Sequence, residues 1–261
     1  MIVVKFGGHA MTDSHGDFAR AIASAREEGA ELAIVHGGGP QINAALDDAG
    51  IAPNFLGGFR VTTPETFAIV ERVLAGEVGP HLAESLAEHG VPAISLSGRK
   101  SKILYAEKLT SLVDGSSADL GQVGSIVEVD PEPIYAAISI DRVPVVSPIA
   151  AEKSSEVGFN VNADIAAAAI AGAVSADALI IMTDVPGIYR KWPDTSSLIE
   201  SISMDELNQI KGTFAEGMAP KVQACLDAID AGAKAVRIID GTNPDSLKDA
   251  LLNRGGTLVT A

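Results

Sequence analysis

Near its start the sequence reads Ile2-Val3-Val4-Lys5-Phe6-Gly7-Gly8, a mainly apolar run that ends in two glycines. A second run, Leu32-Ala33-Ile34-Val35, ends in His36-Gly37-Gly38-Gly39-Pro40. Short apolar runs that end in glycine are typical of strands buried on both faces of a parallel sheet. Between them Phe18–Ala25 has a helical pattern, and Pro40 suits the first position of a further helix. The two stretches therefore predict alternating strands and helices.

The same alternation continues through most of the chain. Further apolar runs predict buried strands at Val91–Leu96, Val143–Val146, Leu179–Met182 and Val236–Ile239. Helices are predicted to begin at Pro64 and Ile165, to span Asp205–Ile210 and Pro220–Ala231, and to follow Pro244. This alternation predicts an α/β fold with a mainly parallel central sheet and helices on both faces.

The middle of the chain has a different pattern. Lys102–Thr110 and Gln122–Val129 read as short strands joined by the polar loop Asp114–Ser117, which predicts an antiparallel hairpin near the ligand site. A domain boundary is expected around Ala150–Asn162. The polar residues Glu152–Ser155 within it fit an ordinary surface loop equally well.

The composition is that of an acidic chain able to bury a large core. It has 261 residues, 47% of them hydrophobic, and a formal net charge of -15. Binding to nucleic acid needs clustered Lys and Arg, so this charge argues against it, and equally against an anionic membrane surface. No apolar run reaches the ~20 residues that span a bilayer. The sequence therefore predicts a cytoplasmic protein.

The single cysteine excludes an internal disulfide. Cys225 shares a predicted helix face with Val222, Leu226 and Ile229, which predicts a buried structural thiol and not a nucleophile. The five histidines show no metal-ligand spacing, and the sequence contains no Gly-x-Ser-x-Gly nucleophile motif. These features argue against a structural metal and against a serine hydrolase.

The glycines after the second strand suit an anion. Backbone N–H groups and the positive end of a helix attract phosphate or carboxylate. A tight turn that needs glycine for its backbone angles explains Gly37–Gly39 equally well. The segment matches neither the P-loop nor the GxGxxG dinucleotide pattern. Lys5, at the end of an apolar strand, either extends to the surface or reaches into a cleft at the sheet edge.

Three polar residues alternate before the helix that begins at Ile165. Asn160, Asn162 and Asp164 would share one face of an extended run and converge on a site. Alternatively Asp164 caps the helix, which leaves the asparagines unexplained.

Two further segments have two interpretations each. The turn Thr183–Tyr189 either holds a nucleotide base and ribose or is an ordinary exit from a strand. Arg60 either binds a carboxylate in a bidentate manner or is solvated.

Six motifs, in this order, resemble the amino acid kinase family, and the resemblance covers essentially the whole chain. They are Lys5–Met11, His36–Ile42, Gly58–Thr62, Asn160–Asp164, Thr183–Ile188 and Gly217–Val222. Within the family they are similar to enzymes that use ATP to phosphorylate the γ-carboxylate of N-acetyl-L-glutamate in arginine biosynthesis. The resemblance implies an open αβα sandwich with two lobes. Residues 1–163 would bind the amino-acid substrate and dimerise, and residues 164–261 would bind ATP.

The resemblance also implies a role for each motif. Lys5 and Lys221 would neutralise the transferring phosphoryl group, and Asp164 would orient both lysines. The implied substrate-binding residues are Gly38, Gly39, Arg60, Asn160 and Asn162. The implied nucleotide-binding residues are Gly7, Gly8, Asp184, Gly187, Ile188, Tyr189, Phe214 and Gly217. Mg²⁺ would be carried with ATP, and no metal ligands from the protein are implied.

The chemistry of such a reaction needs no general base. The pKa of a γ-carboxyl group is near ~4.3, so the substrate is already an anionic nucleophile at neutral pH. The difficulty is the approach of one anion to another, so positioning and cationic stabilisation should dominate. Two lysines from separate segments meet that need.

Two positions depart from the family pattern. Ser97-Gly98-Arg99-Lys100-Ser101 replaces the expected Ser-Gly-Lys-Asp-Gly, and Glu216 stands where glycine is commoner. Neither position is one that we assign to catalysis.

Two other functions are compatible with the same fold. A related kinase acts on aminoadipate or glutamate held on a small acidic carrier protein. It would show His-Gly-Gly-Ser and Asn-Val-Asp-Gly-Asp in place of His36–Gly39 and Asn160–Asp164, and this acidic chain would repel such a carrier. A non-catalytic amino-acid or nucleotide sensor is the second alternative. The presence of Lys5, Lys221 and Asp164 argues against it.

The resemblance also carries an expectation about assembly. Arginine-inhibited relatives have an extra N-terminal helix that interlaces dimers into a hexameric ring. Because the first strand is predicted to begin at Ile2, the sequence predicts a two-fold homodimer, joined through the N-terminal lobe, that is insensitive to arginine.

Overall fold

The computed structural model describes residues 1–7, 15–112, 115–214 and 218–261. The strands, numbered along the chain, are β1 (Ile2–Phe6), β2 (Leu32–His36), β3 (Phe55–Leu56), β4 (Phe59–Arg60), β5 (Ala93–Ser97), β6 (Leu104–Lys108), β7 (Gly124–Val129), β8 (Val143–Ser147), β9 (Ile149–Ala151), β10 (Gly158–Asn160), β11 (Ala178–Thr183), β12 (Ser201–Ser203), β13 (Ala235–Asp240) and β14 (Thr257–Thr260).

The α-helices are α1 (Asp17–Glu27), α2 (Gly39–Asp48), α3 (Pro64–Val73), α4 (Gly79–Glu88), α5 (Glu132–Ser139), α6 (Ala163–Ala173), α7 (Met204–Ile210), α8 (Ala219–Asp230) and α9 (Pro244–Leu251). A π-helical turn, Leu74–Val78, joins α3 directly to α4. The strands and helices predicted from the sequence all form, with bounds that move by a few residues.

The central sheet has eight strands in the order β12-β14-β13-β11-β1-β2-β8-β5. All neighbouring strands are parallel except β13 and β14, which pair antiparallel. The prediction of a mainly parallel sheet is therefore confirmed. β1 is an internal strand of the sheet, between β11 and β2. Its carboxyl end therefore lies near the middle of the row formed by the strand ends.

Helices cover both faces of this sheet because its strands are apolar on both sides. Val3 belongs to the core cluster that contains residues of α6 and α8, whereas the neighbouring Val4 belongs to the cluster that contains residues of α1, α4 and α9. Adjacent residues of a strand point to opposite faces, so the two clusters lie on opposite sides of the sheet. The run of buried residues that predicted a doubly covered strand is thereby explained.

A second, four-stranded sheet has the order β10-β9-β6-β7. β6 and β7 are antiparallel, which confirms the predicted hairpin, and Leu109 continues the pairing beyond β6 through a bond to the carbonyl of Val123. The sequence did not predict the two added strands, β9 and β10. Within the predicted connecting loop, Asp114 lies outside the described residues.

The segment expected to contain a domain boundary runs along this second sheet. Ile149–Ala151 and Gly158–Asn160 pair antiparallel, and the residues between them form the turn of a hairpin. The central sheet continues across this point in the sequence, because β1 and β2 pair with each other and β1 also pairs with β11. No helix in the described part of the chain is long and apolar enough to cross a membrane.

Candidate active site

A single carboxylate lies between two lysines at the carboxyl edge of the central sheet. Lys5 Nζ is 2.9 Å from Asp164 Oδ1, and Lys221 Nζ is 2.8 Å from Asp164 Oδ2. Lys5 and Asp164 are buried, with exposed fractions of 8% and 5%. The three side chains come from distant parts of the sequence, so the fold brings together the residues that the resemblance assigned to phosphoryl transfer.

Local structure explains how each of the three residues reaches this point. Lys5 lies near the end of β1, and Asp164 and Lys221 lie in the first turns of α6 and α8. The far ends of these helices also touch, because Gly172 of α6 packs against Ala231, the residue that ends α8. The helices therefore run side by side in the same direction, and their N-termini meet where Asp164 and Lys221 pair.

The electrostatics of this cluster depend on burial and on mutual attraction. Burial lowers the pKa of the Lys5 ammonium below its usual 10.5, although the charge of Asp164 opposes that effect. Burial also opposes ionisation of Asp164, but the charges of Lys5 and Lys221 outweigh it and hold the pKa of the carboxyl below 3.8. Asp164 is therefore anionic at neutral pH, and with both lysines charged the cluster carries one net positive charge.

A first cavity of about 220 Å³ lies beside the cluster. Its polar and glycine lining consists of Gly37, Gly38, Gly39, Gly58, Arg60, Asn160 and Asn162. Its apolar lining consists of Ile42, Phe55, Phe59, Leu74, Val123, Pro148, Val161 and Ala163. All five residues that the resemblance assigned to the amino-acid substrate, Gly38, Gly39, Arg60, Asn160 and Asn162, line this cavity.

Arg60 is a buried cation in the wall of the first cavity. Its Nη2 donates to Asn43 Oδ1 at 2.7 Å, and its guanidinium lies 4.6 Å from the centre of the Phe55 ring. Nη1 is buried and has no hydrogen-bond partner among the described residues. Burial lowers the pKa of this guanidinium. The alternative of a solvated arginine is wrong, and a carboxylate would supply the partner that Nη1 lacks.

The two asparagines of the alternating run have different local partners. Asn160 Nδ2 donates to Thr62 Oγ1 at 3.2 Å. Asn162 is the N-cap of α6, because its Oδ1 accepts from the N–H of Asp164 at 2.8 Å and of Ile165 at 3.4 Å. The alternative in which Asp164 is the cap is therefore wrong, and Asp164 is left free to bind the lysines.

Two of the glycines near the site, Gly7 and Gly38, are required by close approach. A Cβ on Gly7 would lie 2.7 Å from Lys5 Nζ, so any side chain there would push the ammonium away from Asp164. A Cβ on Gly38 would lie 2.5 Å from Leu74 Cδ2. A Cβ on Gly39 would meet nothing within 4 Å in this structure. Gly39 begins α2 after Gly38, and no side chain caps that helix.

A second cavity of about 630 Å³ has Lys221 of the cluster in its wall. Asp184, Tyr189 and Phe214 line it, as the resemblance implied for the nucleotide. Gly187 and Ile188 are not among its lining residues. Ile188 is fully buried, and its N–H donates to Thr257 Oγ1 at 2.8 Å. Gly8 and Gly217, also assigned to the nucleotide, lie outside the described residues.

Each cavity is also lined by a residue that was not predicted from the sequence. Trp192 lines the second cavity with 64% of its surface exposed, and its ring centre lies 5.3 Å from that of Tyr189. Leu74, from the π-helical turn, lines the first cavity. The only tryptophan of an aromatic-poor chain, three residues after an assigned tyrosine, was a usable signal. In the sequence, nothing distinguishes Leu74 from a leucine of the hydrophobic core.

Cys225 lies on the buried face of α8, and burial raises the pKa of its thiol. The prediction of a buried structural cysteine agrees with this position. Among the described residues, no group of three His, Cys, Asp or Glu side chains could hold a metal ion.

Comparison with known proteins relates this geometry to a family. The profile of the amino acid kinase family matches residues 1–240. Acetylglutamate kinase of Corynebacterium urealyticum is 45% identical over 258 residues, which cover 98% of this chain and 84% of that protein. Acetylglutamate kinase of an Arthrobacter species is 44% identical over 253 residues, with 94% and 82% covered.

A solved structure supports the same relationship at the level of the fold. The protein smu.665 of Streptococcus mutans superposes with a TM-score of 0.82 at 28% identity, and the match covers 100% of this chain and 98% of that one. Because the family profile and these relatives match nearly the whole chain, the chain belongs to the amino acid kinase family.

Proposed function

We propose that this chain transfers the γ-phosphoryl group of ATP to the γ-carboxylate of N-acetyl-L-glutamate and forms N-acetyl-L-glutamyl 5-phosphate, a step of arginine biosynthesis. The observation that carries the proposal is the pair of lysines held by Asp164, with Lys221 in the wall of the second cavity and the two residues before Asp164 in the wall of the first. The relatives named acetylglutamate kinase, at 43–45% identity, supply the identity of the acceptor.

The amino-acid substrate occupies the first cavity in this proposal. Arg60 presents its unpartnered Nη1 to the α-carboxylate, and a charged bond to a planar carboxylate suits a guanidinium. Asn160 lines the same cavity, and its side-chain amide is suited to the acetamido group. The γ-carboxylate then extends past Gly38 and Gly39 toward the lysines.

ATP occupies the second cavity, with its base and ribose near Tyr189 and Phe214 and its γ-phosphate at Lys221. A carboxylate oxygen of the substrate attacks the γ-phosphorus, the bond from that phosphorus to the bridging oxygen breaks, and ADP leaves with the electron pair. Lys5 and Lys221 stabilise the negative charge on the transferring group without changing their protonation. Mg²⁺ carried with ATP would neutralise further charge on the phosphates, and the Asp184 carboxylate in this cavity would be suited to orient it.

The experiment that tests the proposal measures ADP release by the full chain with ATP, Mg²⁺ and one acceptor at a time. N-acetyl-L-glutamate, glutamate and aminoadipate are offered separately. We expect a rate with N-acetyl-L-glutamate far above the other two. Hydroxylamine added to the reaction should trap the acyl phosphate as a hydroxamate. ADP release without a hydroxamate, or equal rates with all three acceptors, would exclude the proposed reaction.

We also propose that residues 1–163 form the substrate lobe, that residues 164–261 form the ATP lobe, and that the protein is a homodimer joined through the first lobe. The distribution of the two cavities supports the first part, because the first is lined only by residues before 164 and the second only by residues after it. Light scattering during size-exclusion chromatography tests the second part. A particle of one chain mass would contradict it.

A further inference from the structure

His36 is a buried polar side chain that the proposed reaction does not use. It is the last residue of β2 and directly precedes the three glycines of the first cavity. The residue is fully buried. It lines neither cavity, so it does not contact the substrates directly. A buried imidazole at this position needs a structural or functional reason.

The hydrogen bond that His36 makes fixes its tautomer. Its Nδ1 lies 2.8 Å from the carbonyl oxygen of Gly37. A carbonyl oxygen only accepts, so Nδ1 carries the proton and donates it. Burial lowers the pKa of His36 to about 4, so the ring is neutral at pH 7 and Nε2 carries no proton. Nε2 has no hydrogen-bond partner among the described residues.

This bond also fixes the peptide that joins Gly37 to Gly38. A trans peptide is planar, and its C=O and N–H point in opposite directions. Because the Gly37 carbonyl is held by His36, the N–H of Gly38 points away from the ring, and Gly38 is one of the residues that line the first cavity. The Gly37 N–H is held separately by the carbonyl of Phe6 at 3.0 Å.

The ring itself is held by the neighbouring helix. A Cβ added to Gly79, the first residue of α4, would lie 3.0 Å from His36 Nε2 and 2.7 Å from Ser95 Oγ. The imidazole therefore occupies space that only glycine leaves at position 79. A series of contacts therefore runs from Gly79, at the start of α4, through the His36 ring to the peptide between Gly37 and Gly38.

We propose that His36 is a positioning residue, whose Nδ1–H holds the Gly37 carbonyl so that the Gly38 N–H is aimed at the transferring phosphoryl group. The inference rests on the proposed function, because it names a group that aligns a backbone donor for the reaction proposed above. A donor fixed before the reaction stabilises the transition state without a reorganisation cost. Loss of this alignment therefore lowers kcat more than it raises KM.

Two substitutions separate the two nitrogens of the ring. In His36→Asn the side-chain amide N–H takes the position of Nδ1–H, whereas in His36→Gln it takes the position of Nε2. We expect His36→Asn to keep kcat within about threefold and His36→Gln to lower it at least about tenfold, with KM for both substrates nearly unchanged. Equal loss in both variants, or full activity of His36→Gln, would overturn the inference.

A second measurement does not depend on activity. The amide resonance of Gly38, observed by ¹⁵N NMR of the full chain, should keep its position in His36→Asn and shift in His36→Gln. If the wild-type chain phosphorylates none of the acceptors, the proposed function fails while this measurement still tests the role of His36. A Gly38 resonance that is the same in all three proteins would overturn the inference.

Gly79→Ala provides a further variant, which disturbs the ring without changing residue 36. The added methyl group should displace the ring and lower kcat in the wild-type background. In the His36→Asn background its further effect on kcat should be smaller, because no ring atom occupies the Nε2 position and the contact with Ser95 Oγ remains. Additive effects of the two substitutions on kcat would contradict the proposed series of contacts.

Discussion

Asp164 shares one carboxylate between two ammonium groups, which places an excess of positive charge in a site that water scarcely reaches. Such a site is prepared for an anion before the anion arrives. In water the lysines would have to be brought together against their repulsion during the reaction. Here the folded structure already holds the two lysines together against their repulsion. They can therefore stabilise the transition state without further rearrangement.

Lys221→Ala is expected to lower kcat at least ~10²-fold, as does the loss of one preorganised stabilising group in other enzymes. The KM values for both substrates should change far less, because the charge to be stabilised is greatest in the transition state. Steady-state kinetics of ADP release measure both quantities. A variant with near-normal kcat would remove Lys221 from the mechanism.

Asp164→Asn is expected to reduce the free energy of unfolding by about 3–5 kcal/mol, because it leaves the buried Lys5 and the partly buried Lys221 without their anion. Chemical denaturation measures the loss. Sulfate should recover more stability in this variant than in the wild-type chain, since an anion can replace the missing carboxylate between Lys5 and Lys221. Equal responses of the two proteins to sulfate would show that the lysines do not face each other as described.

Arg60→Lys is expected to weaken binding of N-acetyl-L-glutamate while ATP affinity stays nearly unchanged. An ammonium cannot reproduce the planar guanidinium that bonds Asn43 and still presents Nη1 to the cavity. Isothermal titration with each ligand separates the two affinities. A loss of ATP affinity alone would place Arg60 in the other half of the site.

The sequence was sufficient to select these charged residues but not to describe their partners. A lysine at a strand end and an aspartate in a polar run are visible as candidates. Their mutual contact depends on how α6 and α8 pack, which no spacing reveals. The roles of Asn162 as a helix cap and of Asn43 as the partner of Arg60 depend on local geometry in the same way.

The helix pair α6 and α8 sets the geometry of the site because the two helices approach very closely. The interface is built from small residues, and Gly172 lies so near Ala231 that an added Cβ would be 2.3 Å from the Cβ of that alanine. Side chains of ordinary size would separate the helices. The contact between Gly172 and Ala231, about two helical turns from the ion pair, thus helps to set the distance between Asp164 and Lys221.

Gly172→Ala is expected to lower the free energy of unfolding by about 1–3 kcal/mol through overpacking. It should also lower kcat, because displacement of α8 lengthens the Lys221–Asp164 ion pair. Gly76→Ala is the matched control, since a Cβ there meets nothing within 4 Å and the residue is exposed. Chemical denaturation and steady-state kinetics of both variants measure the two effects. Equal stability and equal kcat of the two variants would contradict the role of the Gly172–Ala231 contact in setting the distance between α6 and α8.

The helices and strands that were not predicted from the sequence include several in which the local sequence signals are weak or contradictory. Helix α4 follows Gly76 and begins at Gly79-Pro80, a combination typical of a break, and it forms because a π-helical turn carries α3 into it. Helix α5 contains a proline near its start and spans eight residues. β12 has only three residues. Packing against the rest of the molecule decides their structure.

The charge of the whole molecule opposes its compactness. With 34 acidic and 19 basic residues, the folded chain concentrates a net charge of -15 on its surface. Self-repulsion of this kind destabilises the folded state at low ionic strength. The lysine–aspartate cluster is buried and is screened much less by salt.

The thermal unfolding midpoint is therefore expected to rise as NaCl increases from about 10 mM to about 150 mM, where the screening length falls from about 30 Å to about 8 Å. The effect should be lost near pH 4.6, where the net charge vanishes. Differential scanning calorimetry at both pH values measures it. A midpoint that falls with salt at neutral pH would show that attractive surface pairs outweigh the repulsion.

The order of strands in the central sheet has a consequence for synthesis on the ribosome. β1 pairs on one side with β2, which follows soon after it, and on the other with β11, where Ile2 meets Ala178, 176 residues later. At about 5–20 residues per second, the open edge of β1 waits roughly 9–35 s for its partner. The nascent chain can thus pair β1 with β2 early, while Lys5 meets its carboxylate only after translation has passed Asp164.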